Sequence, residues 1–273
     1  MEFRVDGHSA YAYTGGKPFD PALPCIVFIH GALHDHSVWT LLARWFAHHG
    51  HAVLAVDQPG HRRSGGPLLP SIEALGSWTL ALMDAAGVGS AALVGHSMGS
   101  LVALEAAAQA PGRVSRLMML GAAYPMAVSP ALLDAARNAP EAGMDLVNAL
   151  SISTMAVKPG VPGPGTWTQG ANRQLMALVQ ASPGSANVFE HDFRLCDAYR
   201  HGLEAAALRR CPVDLIIGAA DQMTPARATA ALAAALQARV TTLPGGHALM
   251  QEQPDPVLQA LRRALVDMPG TPG

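Results

Sequence analysis

Five short, largely apolar runs, set apart by helix-forming stretches, constrain this 273-residue chain more than any other feature. They lie at 25–29 (CIVFI), 52–56 (AVLAV), 91–94 (AALV), 114–120 (VSRLMML) and 213–217 (VDLII). A strand that is apolar at nearly every position, not at every second one, is buried on both faces and needs helices above and below it. Helical patterns at 37–49, at 71–86 and from Ser97 onward fill the gaps, and 225–236, a strand at 239–243 and a helix at 254–266 continue the series. Such alternation predicts an α/β fold built on a mostly parallel, doubly wound sheet. Ahead of it, segments 3–5 and 8–13 around Asp6-Gly7 read as an antiparallel hairpin.

The regular alternation stops between 124 and 205, where KPGVPGPG at 158–165 separates segments rich in Met, Ala and Leu. A core of 1–123 and 206–273 with an inserted helical cap at 124–205 is the expected organisation. Half of the residues are hydrophobic, enough to bury one core and still spare an insertion. A formal charge of -2 with 14% charged residues provides no basic stripe to follow phosphates, so no nucleic-acid partner is expected. No run of about 18 to 20 apolar residues occurs, so no membrane span or membrane partner is expected either. The opening MEFRVDGHSAYAY lacks the basic start and apolar run of an export signal. Cys25, Cys196 and Cys211 are widely separated without a CxxC pair, which predicts reduced thiols in a cytoplasmic setting.

The chemistry is concentrated in ALVGHSMGS, residues 92–100, where Gly95-His96-Ser97-Met98-Gly99 spans the junction of a predicted strand and helix. A serine at such a junction occupies a strained turn, and side chains two positions to either side would collide, so both flanks must be glycine. The strain turns the hydroxyl outward. The helix that begins there offers unpaired N–H groups toward negative charge developing on a carbonyl oxygen, and Met98 N–H is the first such donor.

With these residues the chain resembles an α/β-hydrolase fold enzyme with a cap, and the similarity runs over nearly all of it. His30-Gly31-Ala32, Asp57-Gln58-Pro59-Gly60-His61 with Ser64-Gly65, the Gly95–Gly99 segment and Gly246-His247 carry that resemblance. It implies that Ala32 supplies the second backbone N–H of an oxyanion hole. The run HGALHDHSVW is similar to the same loop in small-molecule esterases and C–C hydrolases. The stretch NVFEHDFRLCDAY at 187–199 is similar to a cap-exit helix, which implies a structural, cap-anchoring role for Asp192.

A serine hydroxyl needs an imidazole to take its proton, and twelve histidines compete for that role. His247 is favoured because it follows a predicted strand through Pro244-Gly245-Gly246 and comes last in the order Ser, acid, His. His30 and His96 are expected to orient backbone, and His48, His49 and His51 to form a solvated helix end. His34 and His36 flank Asp35, but with no further ligand at metal spacing no metal is assigned. Asp221 should orient His247 from the loop after strand 213–217. The alternative acid position reads Gly121-Ala122-Ala123 and has no carboxylate; Asp57 reads as structural.

The pocket is expected to draw on His30 and Leu33 and on Met126, Met155, Trp167, Met176 and Phe189. Methionines suit a permissive apolar pocket, and equally suit the cap's own core. Lys158, Arg173 and Arg194 are the basic candidates for meeting a substrate carboxylate. A small-molecule carboxylic ester cleaved by Ser97, Asp221 and His247 without a cofactor is the expected function. Hydrolytic C–C cleavage, lactone or perhydrolase chemistry, and a non-catalytic ligand-binding role are the alternatives.

Overall fold

The computed structural model describes residues 1–153, 167–182, 184 and 187–266. Eight strands among them form one sheet: β1 (Glu2–Val5), β2 (His8–Tyr13), β3 (Cys25–Ile29), β4 (Ala52–Val56), β5 (Ala91–His96), β6 (Val114–Leu120), β7 (Val213–Gly218) and β8 (Arg239–Leu243). Their order is β1-β2-β4-β3-β5-β6-β7-β8. β2 runs antiparallel to β1 and β4, and all strands from β4 to β8 run parallel. The α/β reading of the apolar runs thus holds.

Strand β3 shows why those runs are apolar throughout. Cys25, Val27 and Ile29 enter one core, and Ile26 and Phe28 the other. Helices α1 (Thr40–Ala47) and α11 (Pro254–Leu265) cover the second face; α2 (Ile72–Ala85), α3 (Met98–Gln109) and α8 (Gly202–Leu208) cover the first. Helix α3 is buried on all sides from Met98 to Ala108, so its sequence is Ala-rich with no polar face. Its one acid, Glu105, accepts hydrogen bonds from Tyr199 Oη at 2.6 Å and from His201 Nδ1 at 2.7 Å.

Three element boundaries differ from expectation for local reasons. The stretch expected as one helix at 37–49 opens as a 3-10 turn, His36–Trp39, because Asp35 caps Ser37 N–H before α1 begins. Strand β5 continues two residues further to His96, and α3 starts at Met98, leaving Ser97 between them. A short helix α10 (Leu249–Glu252) precedes α11, and α9 (Ala226–Leu236) lies between β7 and β8.

Between β6 and α8 run α4 (Pro130–Asn138), α5 (Pro140–Ser151), α6 (Thr168–Gln180) and α7 (Val188–Ala198). They share an apolar cluster of their own that includes Leu132, Met144, Val147, Met176, Phe189 and Phe193. This corrects three of the pocket expectations: Leu33, Met176 and Phe189 are fully buried in that cluster and, unlike its members Leu132, Val147 and Phe193, do not line the cavity that holds Ser97. For Met176 and Phe189 the reason is helical periodicity, since the same apolar stripe that can face a ligand can face a neighbouring helix, whereas Leu33 sits in the turn after β3 with its N–H held by Asp192. Trp167 is also corrected, being 70% exposed on the outer surface. Met155 and Lys158 lie outside the described residues. Phe189→Ala should therefore act on stability, lowering the unfolding free energy by about 3 kcal/mol. A denaturant titration checks this; an unchanged midpoint with an altered substrate range would place the ring at the pocket instead.

Candidate active site

The sheet order reverses around β3, whose neighbours are β4 on one side and β5 on the other. In open α/β sheets such a reversal leaves a crevice beyond the carboxyl ends of the two adjacent strands. Ile29 pairs with Gly95 at those ends, so Gly31 and Ser97 emerge side by side. A Cβ on Gly31 would lie 3.1 Å from the Ser97 Cβ.

Ser97 has φ 52° and ψ -121°, a backbone state that side-chain-bearing residues adopt only under constraint. The constraint is visible in its neighbours. A Cβ on Gly95 would sit 2.2 Å from the Gly99 carbonyl oxygen, and one on Gly99 would sit 2.3 Å from the Ile29 oxygen. Both obstacles are backbone and cannot swing aside. The Ser97 N–H is tied to the Leu120 oxygen at 2.8 Å. In the stretch 91–108, described in full, Ser97 alone is not buried. The N–H of Met98 belongs to the first turn of α3, whose amides have no carbonyl partner inside the helix.

The carboxyl ends of β7 and β8 bring the other two side chains in. Gly218 pairs with Leu243, and a Cβ on Gly218 would fall 2.2 Å from the Gly246 oxygen, so the two loops touch. His247 Nδ1 donates to Asp221 Oδ2 at 2.8 Å. Asp221 also accepts the N–H groups of Met223 and Thr224, each at 2.8 Å, and the Thr224 hydroxyl at 2.7 Å. Burial alone would push this carboxyl up, but the His247 imidazole and the Thr224 donors outweigh it and hold the pKa at about 2. Thr224 was not legible beforehand, because its role depends on the turn that Asp221 itself organises. Gly121, where the alternative acid would stand, leaves room for the ring: a Cβ there would meet His247 at 3.1 Å.

The remaining histidines divide into framing and wall residues. His30 is buried off the cavity wall, giving its Nδ1 proton to the Gly31 oxygen and accepting Gln58 N–H at Nε2. That corrects its place among the pocket residues. His96 Nε2 donates to the His247 carbonyl at 2.9 Å; burial, then the nearby His247 and His34 rings, keep its pKa well below the ordinary value. His34 stands on the wall with Nδ1 on the Ala32 oxygen at 2.7 Å and Nε2 on Asn172 at 2.9 Å.

Helix α7 supports the loop carrying Ala32. Asp192 on α7 accepts Leu33 N–H at 2.8 Å and His61 Nε2–H at 2.9 Å, joining that helix to the loops after β3 and β4. Burial would lower the His61 pKa, yet the Asp192 carboxylate raises it. Asp35, His36 and Asp57 place potential ligand atoms within 4.8 Å of one another, so the fold adds an acid to the loop where none was expected. Their oxygens are already committed: Asp57 to His36 N–H, His36 Nδ1 and Arg63 N–H, and Asp35 to Ser37 N–H and Arg62 Nε. The arrangement is a hydrogen-bonded knot.

Ser97 and His247 line one cavity of about 200 Å³, with Gly31 and Ala32 at its floor. Met126, Val128, Leu132, Val147 and Phe193 form apolar wall, and among the described lining residues there is no Lys, Arg, Asp or Glu. Of the expected pocket residues that are described, Met126 is the one found there.

With that geometry in view, residues 26–260 match the model of the "Alpha/beta hydrolase family". The chain belongs to that family. A putative non-heme haloperoxidase of Mycobacterium phage D29 is 25% identical over 262 residues, covering 89% of this chain and 88% of that protein. Among solved structures, the enol-lactonase from Burkholderia xenovorans LB400 superposes with a TM-score of 0.82 at 21% identity, covering 96% of this chain and 98% of that one. An esterase from Exiguobacterium antarcticum gives 0.81 at 14% identity, covering 97% and 98%. The two structural likenesses establish the α/β-hydrolase fold and leave the substrate open.

Two outcomes follow for this α/β-hydrolase. Gly99→Ala should lower the unfolding free energy by about 2 kcal/mol or more and cost activity, because the Ile29 and His30 carbonyls cannot retreat; a fully stable, active variant would contradict the contact. The Asp221 carboxyl titrates lower when folded than its ordinary 3.8, so its contribution to stability is present above that value and is lost as pH falls through about 2. The stability gap between the wild-type chain and Asp221→Asn should accordingly close in unfolding curves between pH 5 and pH 2.

Proposed function

We propose that this chain is a serine hydrolase that cleaves carboxylic esters of small, largely apolar substrates through an acyl-enzyme. The observation that carries the reading is the strained, partly exposed Ser97 sharing a cavity with an imidazole whose other nitrogen is bonded to a buried carboxylate. Ser97 Oγ attacks the ester carbonyl carbon as its proton passes to His247 Nε2. The N–H groups of Ala32 and Met98 take the charge on the carbonyl oxygen. His247 then protonates the departing alcohol, and a water activated by the same imidazole releases the acid. Asp221 keeps His247 in the tautomer with its proton on Nδ1 and stabilises the imidazolium.

The cap residues on the wall favour an uncharged acyl group. A carboxylate buried among Met126, Val128 and Leu132 without a cation would be heavily penalised. Arg173 is engaged by Glu141 and Asp145 and Arg194 by Glu190, which removes two of the candidate carboxylate anchors. This weighs against C–C cleavage of a dienoate and leaves cyclic esters within reach of the same machinery. The three free, buried cysteines suit a reducing, cytoplasmic setting.

Ser97→Ala should reduce turnover of p-nitrophenyl butyrate by at least ~10³-fold and abolish labelling by a fluorophosphonate probe, with circular dichroism unchanged. Wild-type protein that neither labels nor hydrolyses any ester would refute the proposal.

A further inference from the structure

Between the base-bearing loop and the helical insertion stands a carboxylate that the mechanism above does not use. Glu252, the last residue of α10, accepts Gly246 N–H through Oε1 at 3.0 Å. Its Oε2 accepts Ser153 N–H at 3.2 Å and the Ser153 hydroxyl. One carboxylate therefore spans from the residue before His247 to the residues that follow α5. Alongside it, the Ser151 carbonyl at the end of α5 accepts His247 N–H at 2.7 Å and Ala248 N–H at 3.1 Å. The approach is close enough to require glycine, since a Cβ on Gly246 would lie 2.5 Å from the Ser151 oxygen and 2.8 Å from Glu252 Oε1. Helix α5 also supplies Val147, Leu150 and Ser151 to the cavity wall.

We infer that Glu252 is a positioning residue that locks the His247 loop to the end of α5, so that the wall contacting the acyl group and the base move as one unit. The inference rests on the serine-hydrolase reading of the site. Backbone donors converge on Glu252 from both sides, which an ionised carboxylate satisfies with its two oxygens and no proton of its own. Glutamine has the same size but presents an NH₂ to one of the two sets of donors, so Glu252→Gln breaks one side of the span and leaves the volume unchanged. The displaced loop carries the imidazole with it, and a shift of this kind acts on the chemical steps more than on ground-state binding.

The test uses Glu252→Gln, Ser153→Ala and the double variant, assayed with p-nitrophenyl butyrate alongside thermal unfolding. Glu252→Gln is expected to lower kcat about tenfold or more, with KM within about twofold. Ser153→Ala removes only the hydroxyl arm and should show a smaller loss of the same kind, and the double variant should lose less than the product of the two. Should Glu252→Gln fail to fold, the kcat and KM of Ser153→Ala decide the matter alone. The inference is overturned if these variants keep wild-type kcat, if the loss falls in KM, or if two independent losses multiply. Wild-type activity with indifferent variants sinks this inference alone, whereas a wild-type chain inert to esters and to the fluorophosphonate sinks the reading beneath it.

Discussion

The contact between the first turn of α3 and the last residues of β3 sets the terms for the rest of the site. Gly99 lies so close to the Ile29 and His30 carbonyls that no Cβ fits, and Gly95 faces Gly99 across the same turn. This compression holds Ser97 in a backbone state it would otherwise leave, and brings it beside Gly31. Strand pairing alone could not do this, because a sheet leaves its loops free beyond the last hydrogen bond. The buried surroundings of α3 supply the restoring force: every residue from Met98 to Ala108 is packed, so the helix cannot retreat from β3 without exposing apolar surface.

A second level of order comes from carboxylates acting as struts, three of them buried and Glu252 half-buried. Asp57, Asp192, Asp221 and Glu252 each accept hydrogen bonds from main-chain N–H groups of loops at the carboxyl edge of the sheet. Loops carry function because they are free of the sheet's regularity, and for the same reason they need external partners to hold a geometry. Asp192 joins α7 to the loop beside Ala32, and Glu252 joins the residues after α5 to the loop beside His247. The cavity between these two joins is apolar along Met126, Val128, Leu132, Val147 and Phe193 and polar at Ser97 and His247.

How much of this could be read from the residues depended on the range of the interactions. The elbow around Ser97 was legible because the glycine pattern at a strand-to-helix junction is itself a local signal, and Gly95 is demanded by the Gly99 carbonyl four residues on, although the demand on Gly99 comes from the distant Ile29 and His30 carbonyls. His247 and Asp221 could be proposed because strand order places the loops after β7 and β8 at one edge, and the structure joins them by a hydrogen bond of 2.8 Å. Thr224 and Glu252 escaped notice, since each acts through main-chain donors that exist only once the loops have closed. The pocket is poorly legible in the residues for a related reason. Met176 and Phe189 occupy apolar stripes as plain as those of Leu132 and Phe193, and no periodicity says which stripe turns toward a ligand and which toward another helix.

The sequence by itself determined the layered α/β architecture, the strained serine and the order of its candidate partners. These follow from patterns no longer than a strand, a turn or a helix, and local sterics and burial decide them. Only the tertiary structure decided which walls surround the cavity, which histidines face it, and which carboxylates hold its loops. Those outcomes depend on the relative placement of segments far apart in the chain, such as the Asp192 contacts with Leu33 and His61 across 159 and 131 residues, and no local preference encodes that placement.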